Sequence, residues 1–313
     1  MSIAFTFPGQ GSQAVGMGKA LYDDFVAARD VFDEVDEALE TKLSQLIFEG
    51  AEADLMLTAN AQPALMAVSM AILRVMECQG FVLQEKVSYV AGHSLGEYCA
   101  LCAAGMFSLT DTARLLRLRG QAMQDAVPVG IGAMAAIIGL EETQVASLCE
   151  EAAGLGVCQI ANDNGGGQWV ISGQREAIEK ACALATAQGA KRALLLPVSA
   201  PFHSSLMQPA AVAMQEALKE VGKVDPQVPL IANVLAEPVQ DSSQIADLLV
   251  KQVTGRVRWR ESVGWLAGMG GVDTIYEIGN GRVLTGLSRR IAKDIRAICV
   301  TNADDIEAAL KEL

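Results

Sequence analysis

The chain has 313 residues, 51% of them apolar and 19% charged, which suits a folded protein with a substantial core and excludes a disordered or low-complexity chain. Lys and Arg number 24 against 37 Asp and Glu, a formal net charge of −13, which argues against generic binding to nucleic acid or to an anionic membrane. Seven cysteines, with no basic segment followed by an apolar one at the start of the chain, point to reduced thiols and a cytoplasmic protein.

Strands and helices alternate along the chain. An apolar run at 3–7 predicts a first strand, which leads into Pro8-Gly9-Gln10-Gly11-Ser12-Gln13. With Ala14 this loop fits G-x-G-x-x-A, but Pro8 distorts the entry and no strand ending in an acid follows, so dinucleotide binding is disfavoured. The loop reads instead as a tight turn at the carboxyl end of a strand, with backbone N–H groups free to donate. Apolar spacing predicts helices over 22–39 and 62–79, the second apolar on more than one face and therefore buried. The longest uncharged apolar stretches fall short of a membrane span. A buried strand is expected at 87–91 and a helix over 95–105. A further helix over 110–123 carries Arg114, Arg117 and Arg119, with Asp111 in its first turn. Cys99 and Cys102 form a C-x-x-C inside the 95–105 helix. No second pair follows and the chain has only two histidines, so they read as small helix residues and no metal site is expected.

Residues 129–198 have an order of their own. A strand at 134–138, a helix at 141–153, strands at 157–161 and 169–172, a helix at 174–188 and a strand at 192–196 give β-α-β-β-α-β, the ferredoxin-like unit. The expected division is a large α/β catalytic part over 1–128 and 199–313 with a small part at 129–198 inserted into it. Beyond the insert, helices are expected at 204–221, 245–253, 261–269 and 282–291. Strands are expected at 228–231 and 274–277, with an edge strand at 295–300. Gly279-Asn280-Gly281 reads as a plain turn between strand and helix.

The chemistry concentrates at Gly92-His93-Ser94-Leu95-Gly96, which fits G-x-S-x-G between a predicted strand and a predicted helix. Glycine at both ends suits a strained turn in which backbone meets backbone, and Ser94 at its apex is the candidate nucleophile. The pattern alone recurs by chance; the flanking elements give it weight. A serine nucleophile needs a base. His93 adjoins Ser94, and neighbouring side chains diverge on a tight turn, so it reads as a packed residue. His203 remains, in a loop between a predicted strand and helix. A loop histidine is more often a surface residue than a base, but the elbow shifts the balance to catalysis.

F-P-G-Q-G-S-Q at 7–13, G-H-S-L-G-E at 92–97, R-G at 119–120, A-P-F-H-S at 200–204, Gln252 and E-I-G-N-G-R-V-L-T-G-L at 277–287 together resemble the malonyl-CoA:acyl carrier protein transacylases, nearly end to end. The resemblance implies an α/β hydrolase-like core with a central mostly parallel sheet and an inserted ferredoxin-like part. It implies a ping-pong transfer without a cofactor, from malonyl-CoA to acyl carrier protein, through a malonyl ester of Ser94. It assigns His203 as base, Gln252 as the residue that helps orient it, and the N–H groups of Gln10 and Leu95 as the oxyanion hole. Arg119 matches the arginine that holds the substrate's free carboxylate, for which a planar fork is well suited. Phe202 is similar to the malonyl-type pattern of polyketide acyltransferases. Thr254-Gly255-Arg256 stands where the family has an Asn-Pro step. A free-standing chain suggests supply of fatty acid synthesis. The alternative, a serine esterase of the same core, would place an acid between serine and histidine, put the histidine late in the chain and leave Arg119 unused.

An acidic carrier meeting an acidic chain requires a local basic patch. The candidates are Lys191-Arg192, Arg256 with Arg258 and Arg260, and Arg282 with Arg289 and Arg290, the first two being favoured by their proximity to His203 and Gln252.

Overall fold

The computed structural model describes residues 2–313. Ten strands are distributed over two sheets. The larger contains β1 (Ile3–Phe7), β2 (Tyr89–Gly92), β7 (Leu230–Ile231), β8 (Pro238–Val239), β9 (Thr274–Ile278) and β10 (Arg296–Val300), in the order β10-β9-β1-β2-β7-β8. All its pairings are parallel except β7 with β8. Residues 3–7 of β1 are all buried, as a strand covered by helices on both faces requires. Phe7 pairs with Gly92, so the Pro8–Gln13 loop and the turn at Ser94 leave the sheet side by side. The N–H of His93 donates to Phe7 O at 3.1 Å and locks that contact.

The smaller sheet contains β3 (Gly132–Ile138), β4 (Cys158–Asp163), β5 (Gln168–Gln174) and β6 (Arg192–Leu195), antiparallel throughout, in the order β4-β5-β3-β6. With helices Glu142–Ala152 and Arg175–Ala187, this is the ferredoxin-like order expected from the sequence. A separate apolar cluster that includes Ile137, Leu148, Ile171 and Ile178 fills the space between this sheet and its helices. Two bonds fasten the segment after Gln252 to the edge of β4, Val257 N–H to Ala161 O at 2.8 Å and Asp163 N–H to Val257 O at 2.9 Å.

Some elements differ from expectation. The 22–39 helix is two, Lys19–Asp24 and Val26–Ala38, broken where Phe25 turns extended (φ −124°) and packs against the core. The helix expected from 62 begins a turn earlier and runs Thr58–Cys78. By length and composition alone it could cross a membrane, but 83% of its most apolar window is buried inside the protein. Short helices at Leu43–Glu49, Glu52–Met56 and Leu83–Lys86, and a last helix Ala303–Glu312 capped by Asn302, add to the expected set.

Candidate active site

The turn at Ser94 is tight because two glycines let backbones touch. A Cβ on Gly92 would lie 1.9 Å from the Gly96 backbone, and one on Gly96 would lie 2.2 Å from Phe7 O. Ser94 itself is left-handed (φ 55°), a conformation costly for serine and characteristic of a residue held by its surroundings. Asn233 does the holding. Its Oδ1 accepts from Ser94 N–H at 2.8 Å and its Nδ2 donates to Gly92 O at 2.7 Å. Helix Gly96–Ala103 starts immediately behind, so the Ser94 side chain stands at a helix N-terminus.

His203 meets Ser94 across the cleft, Nε2 to Oγ at 2.7 Å. Its own backbone is left-handed (φ 57°). The loop before it lies so close to β3 that a Cβ on Gly132 would meet the Pro201 ring at 2.3 Å. Nδ1 faces two carbonyls, Gln252 O at 2.8 Å and Gly255 O at 3.1 Å. Two acceptors on that side make Nδ1 the protonated nitrogen and leave Nε2 as the acceptor facing the serine. Burial, and then the charge of Arg119, push the imidazole down to about 3, so the ring is neutral at physiological pH. His93 points elsewhere, as expected. Its ring packs 5.6 Å from Trp259 and its Nε2 lies 3.0 Å from Asn164 Oδ1.

Arg119 is 1% exposed, an unusual burial for a guanidinium. Helix Leu109–Asp125 delivers it, and Gly120 makes the approach possible. A Cβ there would sit 2.6 Å from Thr58 O and from Ala59 Cα, so only glycine lets this helix rest on the first turn of Thr58–Cys78. Arg119 donates to Gln62 Oε1 at 2.8 Å, to Gln252 Oε1 at 2.7 Å and to Ser94 Oγ at 3.1 Å, while its Nε–H has no partner among the described residues. Arg114 and Arg117 point to other partners, Ala38 O and Asn60.

Four residues absent from the sequence reading of the site complete it: Glu97, Asn233, Gln62 and Thr58. Glu97 is 1% exposed and accepts from Asn233 N–H at 3.0 Å and from Gln252 Nε2. Burial lifts its carboxyl to about 7, although those hydrogen bonds and the nearby Arg119 pull the other way. Gln252 Nε2 also donates to Ser94 O at 2.8 Å, so one glutamine touches the elbow, the arginine, the glutamate and the histidine. A buried glutamine within the apolar 58–78 helix was the signal for Gln62.

A cavity of about 300 Å³ opens between the two sheets onto Ser94. Gln10, Leu95, Phe202, Met123 and Val170 line it with Ser94, His203 and Arg119. The N–H groups of Gln10 and Leu95 have no acceptor among the described residues, and both residues border the space in front of Ser94. All the residues expected at the site therefore meet in one place.

One of the basic clusters is not a free patch. Arg256 and Arg260 reach the fully buried Asp163 at 3.2 and 2.7 Å and also pair with Glu142, while Arg258 pairs with Glu261 and donates to Leu235 O. Lys191 and Arg192 are exposed and make no ion pair among the described residues. Arg289 donates to Ala297 O and Arg290 to Gln168.

A serine on a strand–turn–helix elbow, hydrogen-bonded to a neutral imidazole and backed by a helix N-terminus, belongs to the class of enzymes that move acyl groups through a serine ester. The comparisons agree. The profile of the acyl transferase domain matches residues 4–285. A malonyl CoA-acyl carrier protein transacylase of Bacillus subtilis is 46% identical over 312 residues, covering 99% of this chain and 97% of the relative. The crystal structure of an acyl-carrier-protein S-malonyltransferase from Bartonella henselae is 65% identical, with a TM-score of 0.98, over 100% of this chain and 99% of that one. A malonyl-transacylase solved in complex with its type II PKS acyl-carrier protein is 41% identical, with a TM-score of 0.96 over the whole of both chains. The chain belongs to the malonyl CoA-acyl carrier protein transacylase family.

Proposed function

We propose that this acyltransferase carries the malonyl group from malonyl-CoA to the phosphopantetheine thiol of acyl carrier protein by way of a Ser94 ester. The observation that carries the reading is the meeting of three groups at one cavity, a serine, a neutral histidine 2.7 Å away and a buried arginine 3.1 Å from the same oxygen. Ser94 gives its proton to His203 Nε2 as Oγ attacks the thioester carbonyl. The new C–O bond forms, the C–S bond breaks, and the departing CoA sulfur takes the proton from the imidazolium. In the second half the carrier's thiol gives its proton to His203, its sulfur attacks the ester, and Ser94 oxygen leaves and is reprotonated. The N–H groups of Gln10 and Leu95 receive the oxyanion in both halves. Arg119 holds the malonyl carboxylate through its guanidinium, and that negative charge offsets the positive charge that otherwise disfavours the imidazolium. Gln252 orients His203 through its carbonyl, and Gly255 shares that task. Phe202 supplies an apolar wall.

Several further assignments accompany this reading. Residues 129–198 form a small part distinct from 1–128 and 199–313, supported by the separate sheet and its own apolar cluster. The enzyme is cytoplasmic and serves fatty acid synthesis. Intact-mass measurement after mixing with malonyl-CoA tests the reaction. A malonyl adduct that acyl carrier protein discharges is expected, and Ser94→Ala should form none. An adduct on Ser94→Ala, or one lost to water at the rate it passes to carrier, would contradict the proposal.

A further inference from the structure

Arg119 is the origin of two hydrogen-bonded chains. One passes through Gln252 to His203 and is used above. The other has no place in those steps. Arg119 Nη1 donates to Gln62 Oε1 at 2.8 Å, Gln62 Nε2 donates to Thr58 Oγ1 at 2.9 Å, and Thr58 Oγ1 donates to Gln10 Oε1 at 2.9 Å. Every donor points the same way, from the guanidinium to the loop that carries the Gln10 N–H. Gln62 and Thr58 are buried, in a helix whose other buried residues are mostly apolar. Burying an amide and a hydroxyl is costly unless they are hydrogen-bonded, and here each is bonded on both sides. Gly120 fixes the two helices in contact at this point, with Thr58 O inside the space a Cβ would need.

We propose that Gln62 and Thr58 are positioning residues that set the spacing between the Arg119 fork and the Gln10 loop, so that malonyl transfer is tuned to the length of the acyl group. The inference rests on the roles assigned above to Arg119 and Gln10. In a malonyl thioester a single methylene separates the free carboxylate from the reacting carbonyl. The substrate is held at both ends, and the enzyme must present carboxylate donors and carbonyl-oxygen donors at one matching distance. A misplacement of about 1 Å costs as much as a hundredfold in rate. An acetyl group lacks the carboxylate, is held at one end, and can follow a displaced loop. Gln62 acts through Arg119 and Thr58 acts through Gln10.

Single-turnover acylation by malonyl-CoA and by acetyl-CoA, read by intact mass, tests this. Thr58→Val keeps the side chain's shape, removes the hydroxyl and leaves the Arg119–Gln62 bond in place. Its saturating malonyl rate should fall about tenfold, the scale of one lost positioning hydrogen bond, with the half-saturating concentration unchanged within about twofold. The acetyl rate should fall less than about threefold, and Thr58→Ser should restore both. Thr58→Ala also removes the hydroxyl and leaves the Arg119–Gln62 bond in place, so it should reproduce Thr58→Val and serves as the test if the valine variant does not fold. A wild-type malonyl rate in Thr58→Val or Thr58→Ala, or an equal loss for both acyl groups, would overturn the proposal. Controls separate this from the reading beneath it. An adduct on Ser94→Ala, or an unaltered acetyl-to-malonyl ratio in Arg119→Ala, brings down that reading. Normal controls with an unaffected Thr58→Val bring down only the relay.

Discussion

The rate of acylation should be almost insensitive to acid down to pH 5.5, because the base is a histidine shut away from water. An imidazole of ordinary pKa would be mostly protonated at that pH, and a rate that needs the neutral ring would fall about tenfold. His203 is held at about 3, chiefly by burial and next by the Arg119 charge. The gap from 6.5 corresponds to roughly 5 kcal/mol in favour of the neutral ring, at ~1.36 kcal/mol per pH unit. Even a fraction of that keeps the base competent at pH 5.5. The assay is rapid-quench acylation at subsaturating malonyl-CoA between pH 5.5 and 8, because kcat/KM reports the free enzyme. A change of less than about twofold is expected across the acid side. Glu97, at about 7, titrates at the upper end of the range, so points below pH 6 isolate the histidine. A fall that continues below pH 6, approaching tenfold per pH unit, would refute the reasoning. Stability carries the same signature. The unfolded chain takes up this proton below about 6.5 and the folded chain only near 3. The stabilisation is therefore complete above pH 6.5 and is lost as pH falls through that window. Glu97 has the opposite sign, since its folded carboxyl keeps a proton up to about 7 and the folded state loses stability as pH rises from 4.5 to 7. The stability gap between wild type and His203→Ala, measured by urea unfolding, should shift by roughly 3 kcal/mol against wild type between pH 6.5 and 4.

Arg119→Ala should lose about 2–5 kcal/mol of preference for malonyl over acetyl thioesters, read as the ratio of kcat/KM values; an unchanged ratio would make Arg119 structural only. Gly120→Ala forces a methyl into backbone 2.6 Å away and should lower stability by about 1–3 kcal/mol, seen as a fall in Tm; a wild-type Tm would mean the two helices can part freely. Lys191→Glu should raise KM for the carrier while acylation by malonyl-CoA stays near normal. Arg258→Glu, which loses its Glu261 partner and gains a repulsion, should instead lower Tm. A low-salt titration in which Lys191→Glu leaves carrier KM untouched would remove that residue from docking.

The elbow was legible because it is local. Strand, glycine, serine, glycine and helix lie within some fifteen residues, and each follows from spacing or steric need. The ferredoxin-like order was legible for the same reason, since each element has its own period. The support around Ser94 was not. Asn233 reaches Gly92 across 141 positions, and Gln252 reaches Glu97 across 155, separations at which no local pattern links partners. The break at Phe25 was hidden because apolar spacing continues through it while the backbone turns. The 256–260 arginines were read as a surface because charge can be counted from sequence, whereas the acid that neutralises it, Asp163, sits some ninety positions earlier.

That same acid sits between Asn162 and Asn164, which line the cavity. Asp163 is shut off from solvent, and the two arginines that grip it flank Val257, the residue stitched to the edge of β4. Dissolved ions weaken exposed attractions and reach buried ones poorly. Raising ionic strength should therefore slow the arrival of an acidic partner at Lys191 and Arg192 while leaving the ion pairs beside the cavity-lining Asn162 and Asn164 in place. Encounter with a partner and the form of the cavity edge would then answer to different variables, the first to the medium and the second to contacts that salt reaches poorly.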